Sequence, residues 1–438
     1  MLILADWLVT SVDVSPSRLH GVRVSGTIIE TVGSHQELLA LYPDDEVVRA
    51  SGRVLMPGFV NSHVHMYGVL AHGIPVDEPP DGFWSFLENY WWPKVEDSLD
   101  HEMVAAAADW VCAEMLRTGT TTFYDILEAP NALPEVLSLE TEVVERRGLR
   151  GLLSFEATER AGTEVAELAL AENVALIEAT RGSALVSGLM CLHTTFTCSA
   201  DYITRAFGLA SDLGVLTHAH CNEGVHEGLW CEDNVGKRTI EYYDELGVAG
   251  PGFMASQCVQ LSEREQELIA ERGMRVTHMP LANCEVGGGI APIPELLDRG
   301  VTVGLGSDGY VNDMFEVMRG AFLVHKARLL DPGVMPASQV LGLATEGGAK
   351  ALGLEGVGRL DEGWSADLQL VDIEMVTPVT EHNIFEQLVM WRSGTDVTDV
   401  MVAGDWRVRD RVVIGADLGS MRNQLQVQAS RLWVGGGR

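Results

Sequence analysis

Apolar and polar positions alternate differently in three stretches of this chain. Residues 1 to about 56 read as short strands and turns, such as Leu2-Ile3-Leu4, Arg18 to Val24 and Thr27-Ile28-Ile29. One short helical turn falls near His35 to Leu41. The middle alternates buried-type apolar runs with amphipathic stretches of helical period, the pattern of a parallel α/β fold. The runs lie at 53–60, 120–125, 150–156, 187–193, 215–221, 252–259, 274–278 and 301–307. Amphipathic helices are expected at 101–118, 201–213, 262–272 and 293–299. Strand patterning returns at Ala366 to Asp372 and Asp399 to Gly404. Eight strands over about 300 residues fit a (β/α)8 TIM barrel. The two β-rich ends predict one small β-sandwich domain, residues 1–56 plus 359–438, flanking a barrel at 57–358.

In such a barrel the chemistry sits at the C-terminal strand ends, and the unusual polar residues fall there. His63-Val64-His65 follows the apolar run Arg53 to Val60. Residues two apart on a strand share a face, so both imidazoles can reach one ion. Alone this spacing is weak. It is joined by His220 with Glu223 after the fifth strand, and by Asp308 in Gly304-Leu305-Gly306-Ser307-Asp308-Gly309 after the eighth. Three histidines and a carboxylate suit Zn²⁺ or Fe²⁺ with a position left for water. His218 shares a face with His220 and is a rival ligand, but the three-residue offset to Glu223 favours His220.

The segment Asp81 to Pro93 carries Phe, Trp or Tyr at six of thirteen positions. It reads either as a wall that stacks on a flat ring or as aromatics packed on the barrel or a second subunit. Gly287-Gly288-Gly289 lacks the ending of a phosphate loop.

Composition narrows the partners. The 438 residues carry a formal net charge of −33, which argues against nucleic acid and against anionic membranes. Seven cysteines, an odd number without a CxxC pair, predict no disulfide framework and a cytoplasmic setting. Cys221 and Cys258 read as small buried filler. The N-terminal residues lack the basic region and cleavage site of a signal peptide, and no apolar run is long enough to span a bilayer.

With these motifs in place, the chain resembles the amidohydrolase superfamily, in its mononuclear cytosine deaminase-like (ATZ/TRZ) branch. Met56 to His65 is similar to that branch's "PGfvnxHxH", His218 to Glu223 to its "HxHxxE", and Val301 to Gly309 to its "vxvaLGtDG". Gly358-Arg359-Leu360 with Gly363 to Leu368 looks like the C-terminal "G.L..G..ADlvl.d". Within the branch, Trp91-Trp92, Phe155 to Gly162, Gly188 to Thr197 and Asp313-Met314-Phe315 resemble the SsnA-type aminohydrolases.

The resemblance implies one divalent metal, Zn²⁺ or else Fe²⁺, on His63, His65, His220 and Asp308. Asp308 would also take the proton of a water made acidic by the metal. Glu223 would protonate the ring nitrogen beside the attacked carbon. His193, Arg160, Trp91 and Asn283 would contact substrate, although Arg160 is equally suited to an ion pair with Glu156 or Glu159. His72 and His226 read as structural or exposed. The implied reaction is deamination of an aminated purine, pterin, pyrimidine or triazine with release of ammonia, by a homodimer.

One position departs from the branch. Gln257, in Ala255-Ser256-Gln257-Cys258, stands where a histidine usually polarises the attacking water. An amide donates and accepts hydrogen bonds but carries no proton near neutral pH. Three outcomes stay open: deamination through Glu223 and Asp308 alone; hydrolysis of a cyclic amide or loss of a non-amine group at the same site; or a silent binding subunit. Ser307 and Ala282 are milder departures.

Overall fold

The computed structural model describes residues 1–435 apart from Asp77 and Pro79; the last three positions of the expected terminal domain lie outside the described residues. The chain opens with Leu2–Leu8 (β1), Ser17–Ser25 (β2), Ile28–Ser34 (β3) and Val47–Pro57 (β4). The barrel strands are Phe59–Val64 (β5), Thr120–Leu127 (β6), Arg150–Ala157 (β7), Val186–Gly188 (β8), Met190–Leu192 (β9), Thr217–Cys221 (β10), Phe253–Gln257 (β11), Arg275–His278 (β12) and Thr302–Leu305 (β13). Leu368–Asp372 (β14), Val397–Val402 (β15), Asp405–Arg409 (β16) and Val412–Val413 (β17) follow.

The strands of both chain ends form one hydrogen-bonded path, β17-β16-β15-β14-β4-β1-β2-β3. The β3 end of this path curls back onto the segment leading into β14: Ala366 N donates to Thr27 O at 2.9 Å, and Ile28 bridges Ser365. The curled sheet encloses its own core of Ile3, Val22, Ile29, Leu55, Leu370 and Met401. The expected sandwich is thus a single sheet folded over on itself.

The barrel strands run parallel in order, with the fourth position split into β8 and β9 at Leu189. The ring closes through β5 and the end of β13, where His63 O accepts from Ser307 N and Asp308 N, each at 3.0 Å. Two glycines permit close approaches. A Cβ on Gly306 would lie 2.7 Å from His63 Cβ, and one on Gly58 2.2 Å from Thr121 Cγ2. Gly58 also corrects the sequence reading. The single run expected at 53–60 is two strands, because at Gly58 the chain passes from the terminal sheet into the barrel.

Local signals account for the helices. Asp100 accepts from Met103 N ahead of His101–Arg117, Ser199 caps Ala200–Leu213, and Ser262 with Glu265 forms a capping box before Glu263–Arg272. These helices and Ile293–Asp298 match the expected positions. Among the described residues no helix is long and apolar enough to cross a membrane.

Candidate active site

Strand alternation stacks the barrel interior in layers. Val60, Tyr124, Ile126, Leu152, Cys191 and Met254 form one apolar cluster, plugged by Ala349, Leu352 and Val357. Tyr124, Ser154, Cys191 and His218 are joined by side-chain contacts: Tyr124 Oη lies 2.8 Å from Ser154 Oγ, and Cys191 Sγ 3.2 Å from His218 Nδ1. Glu156, His193 and His220 come two residues later on the same strands, so they stand at the mouth. Register therefore separates the two rival histidines. His218 is fully buried against Tyr124 and Cys191, whereas His220 joins His63 and His65 in a cluster of converging ring nitrogens.

In that cluster His63 Nε2 and His65 Nε2 are 3.3 Å apart. Asp308 Oδ1 lies 3.3 Å from His65 Nε2 and 3.8 Å from His63 Nε2. Ligand atoms around a tetrahedral ion with ordinary Zn–N and Zn–O bonds stand about 3.4 Å apart, so the residues fit a divalent metal. The outer nitrogens are fixed as such a site requires. His65 Nδ1 lies 2.7 Å from Ile126 O, and His220 Nδ1 2.6 Å from the Glu156 carboxylate. Both rings thus turn Nε2 inward. Burial and the neighbouring imidazoles push His63 well below its ordinary pKa, keeping it neutral with a lone pair available.

Glu223 is two residues past β10 and lines the same cavity. Burial and the Asp308 charge push its carboxyl up to about 8, the direction that suits a proton donor. Gln257, the last residue of β11, donates from Nε2 to Asp308 Oδ2 at 2.8 Å. A carboxylate only accepts, so the amide nitrogen must face it. Strand ends around the site also hold strained backbone: Asn222, Gln257, Cys258 and Asp308 all adopt left-handed φ between +51° and +65°.

The cavity has a volume of about 830 Å³. His193, lowered to about 3 chiefly by burial, lines it 2.9 Å from Thr197 Oγ1. The aromatic segment forms one wall: Phe83, Trp84, Phe86, Tyr90 and Trp91 all line it. Of the two readings of that segment, the geometry therefore matches the wall. As the sequence reading expects, His72 is exposed, 2.9 Å from Gly309 O, and His226 is half-buried and stacked on Trp84 at 3.9 Å between ring centroids; both also line the cavity.

Two expected substrate contacts lie elsewhere. Arg160 is held by Glu128 at 2.5 Å, Asp97 at 2.8 Å and Glu96 at 2.9 Å, and by neither Glu156 nor Glu159. It is absent from the cavity lining, whereas its partner Glu96 lines the cavity. Asn283 is fully buried in Pro280–Glu285, outside the lining, with neither amide atom hydrogen-bonded among the described residues. Cys221 and Cys258 are buried, free thiols. Sequence reasoning missed Glu156 as the partner of His220. Its signal was an acid ending the buried run Leu152 to Phe155 at a C-terminal strand end.

Residues 54–407, most of the chain, match the amidohydrolase family. The chain belongs to the amidohydrolase family. As an amidohydrolase it is a hydrolase acting on carbon–nitrogen bonds other than peptide bonds. It is 34% identical over 394 residues to the 5'-deoxyadenosine deaminase of Methanosarcina mazei, covering 89% of this chain and 88% of that one. It is 32% identical over 416 residues to the 5-methylthioadenosine/S-adenosylhomocysteine deaminase of Nitratidesulfovibrio vulgaris, covering 93% and 90%. Among solved structures, a zinc-bound adenosine deaminase from Xanthomonas campestris superposes with a TM-score of 0.89 at 27% identity, covering 99% of this chain and 98% of that one.

Proposed function

We propose that this amidohydrolase deaminates the adenine ring of a nucleoside, with zinc as its ion and Fe²⁺ as the alternative. One observation carries the reading: Glu223 lines one cavity with His65, His220 and Asp308, and the buried His63 stands directly behind them, 3.3 Å from His65 Nε2 and 3.8 Å from Asp308 Oδ1. A divalent ion there acidifies water and so supplies a nucleophile at neutral pH. Asp308 accepts the proton of the attacking water. Glu223 delivers its proton to the ring nitrogen beside the amino-bearing carbon, making that carbon electron-poor, and then takes the hydroxyl proton of the adduct as the carbonyl forms. The proton held by Asp308 goes to the amino group, which leaves as ammonia as the carbon–nitrogen bond breaks. Gln257 fixes the Asp308 carboxylate by its amide N–H. The aromatic wall and His193 flank the ring and exclude water. The relatives' adenine-nucleoside substrates support this choice over pterins and triazines.

Zinc-loaded protein is expected to release ammonia from an adenine nucleoside in a panel of aminated purines, pterins, pyrimidines and triazines, and Asp308→Ala to abolish it. Silence across the panel with zinc bound would sink the reading. Weight would then move to a cyclic amide or a non-amine leaving group, which Gln257 favours because it cannot relay a proton. The proposal includes a cytoplasmic homodimer, as suggested by the six buried free cysteines for the compartment and by analogy for the dimer. Light scattering on the purified protein tests the dimer.

A further inference from the structure

The cavity is larger than a nucleobase fills, near the upper end of the roughly 300–1,000 Å³ usual for ligand sites. Among the described residues the lining contains no lysine and no arginine, but six carboxylates: Glu96, Glu156, Glu223, Glu227, Glu285 and Asp308. Five of them have assigned partners or tasks. Glu96 meets Arg160 and Tyr67, Glu156 meets His220, and Glu227 accepts from Thr195 and Asn222 N–H groups. Glu223 and Asp308 serve the chemistry. Glu285 alone is left, in no salt bridge or side-chain hydrogen bond among the described residues, and more exposed than the others. It shares the cavity with Trp84, Trp91 and the exposed ring of Tyr310. Neither nearby fixed cation lines the cavity: Lys94 lies against the Tyr90 ring at 5.8 Å and Arg160 is occupied by three acids, while His72 is the lining imidazole that faces Glu285. Among the described residues Glu285 is thus the one carboxylate of the lining left without a hydrogen-bonded or ion-paired partner and without a part in the chemistry.

Aromatic faces and an unpaired carboxylate are the two groups that recognise an organic monocation. We propose that the outer cavity is a cation-accepting subsite, in which Glu285 and the aromatic wall hold an ammonium or sulfonium group on the substrate's extension and reject a carboxylate there. The inference rests on the nucleoside-deaminase reading and narrows it: of the 5'-extended adenosines, this chain selects those whose extension carries positive charge.

The test uses the full-length, zinc-loaded protein and three 5'-thioadenosines with extensions of equal length ending in methyl, carboxylate or ammonium. Ammonia release should give kcat/KM highest for the ammonium form, about tenfold or more above the carboxylate form at low salt. The gap should shrink in 1 M salt, and Glu285→Lys should reverse the order. A carboxylate form turned over as well as the ammonium form overturns the proposal. If no nucleoside releases ammonia, the deaminase reading fails, and the subsite is read without turnover. Butyltrimethylammonium should then quench tryptophan fluorescence saturably where butyrate does not, and Glu285→Lys should abolish the response. Equal responses to the two probes, or none, overturn the subsite as well.

Discussion

At the scale of single residues, the site depends on groups that touch ligand atoms through one intermediary. Glu156 orients His220, and Gln257 orients Asp308. Removing such a partner typically costs about 10- to 100-fold in metal affinity or activity. Glu156→Ala and Gln257→Ala should therefore each weaken zinc binding by about that factor, measured by competition with a chromophoric chelator. Unchanged affinity in both would show that the ligands hold their own orientation. The proposed ligands were legible because HxH, HxHxxE and the Gly306-to-Gly309 turn are local in sequence. Their supports were not, because Glu156 meets His220 across 64 residues of chain and Gln257 meets Asp308 across 51. Arg160 was misread for the same reason: its partners Glu96 and Glu128 lie on distant loops and strand ends.

At the scale of elements, β6 and the helix Val136–Arg147 share an unusual joint. Asp125 on the strand and Glu140 on the helix are fully buried neighbours, and Asp125 Oδ2 and Glu140 Oε2 have no other hydrogen-bond partner among the described residues, so one proton held between them would satisfy both. Burial raises both groups, and for Glu140 the Asp125 charge adds to it. A raised folded-state value means the folded chain holds the proton more tightly than the unfolded one. The linked stability is complete below the ordinary carboxylate range and is lost as pH rises through the pair's raised value. Urea midpoints should fall between about pH 4.5 and 8 in the native chain, and Glu140→Gln should flatten that slope. A slope unaffected by the substitution would remove the pair from the account. Elements themselves were readable wherever period and caps agreed, as in His101–Arg117 and Glu263–Arg272. The break at Gly58 was hidden because both strands flanking it are buried and apolar, so hydropathy runs across it without interruption.

At the scale of the whole molecule, the proposed metal ligands come from the first, fifth and last barrel strands, so an ion would tie the closing seam of the ring to its opposite side. Binding only to the folded state contributes about 2.7 kcal/mol when free metal is a hundredfold above its Kd. Chelation should lower the melting temperature and zinc should restore it, read by calorimetry; a melt indifferent to both would break the link between ion and fold. The passage at Gly58 has a consequence of another kind. The strand that ends in the reaction centre follows β4 after the single residue Gly58, and β4 is itself gripped on both sides by β1 and β14, from opposite ends of the chain. The barrel therefore has no natural cut point on its N-terminal side. Anyone transplanting this reaction centre into another scaffold would have to carry the curled sheet along with it.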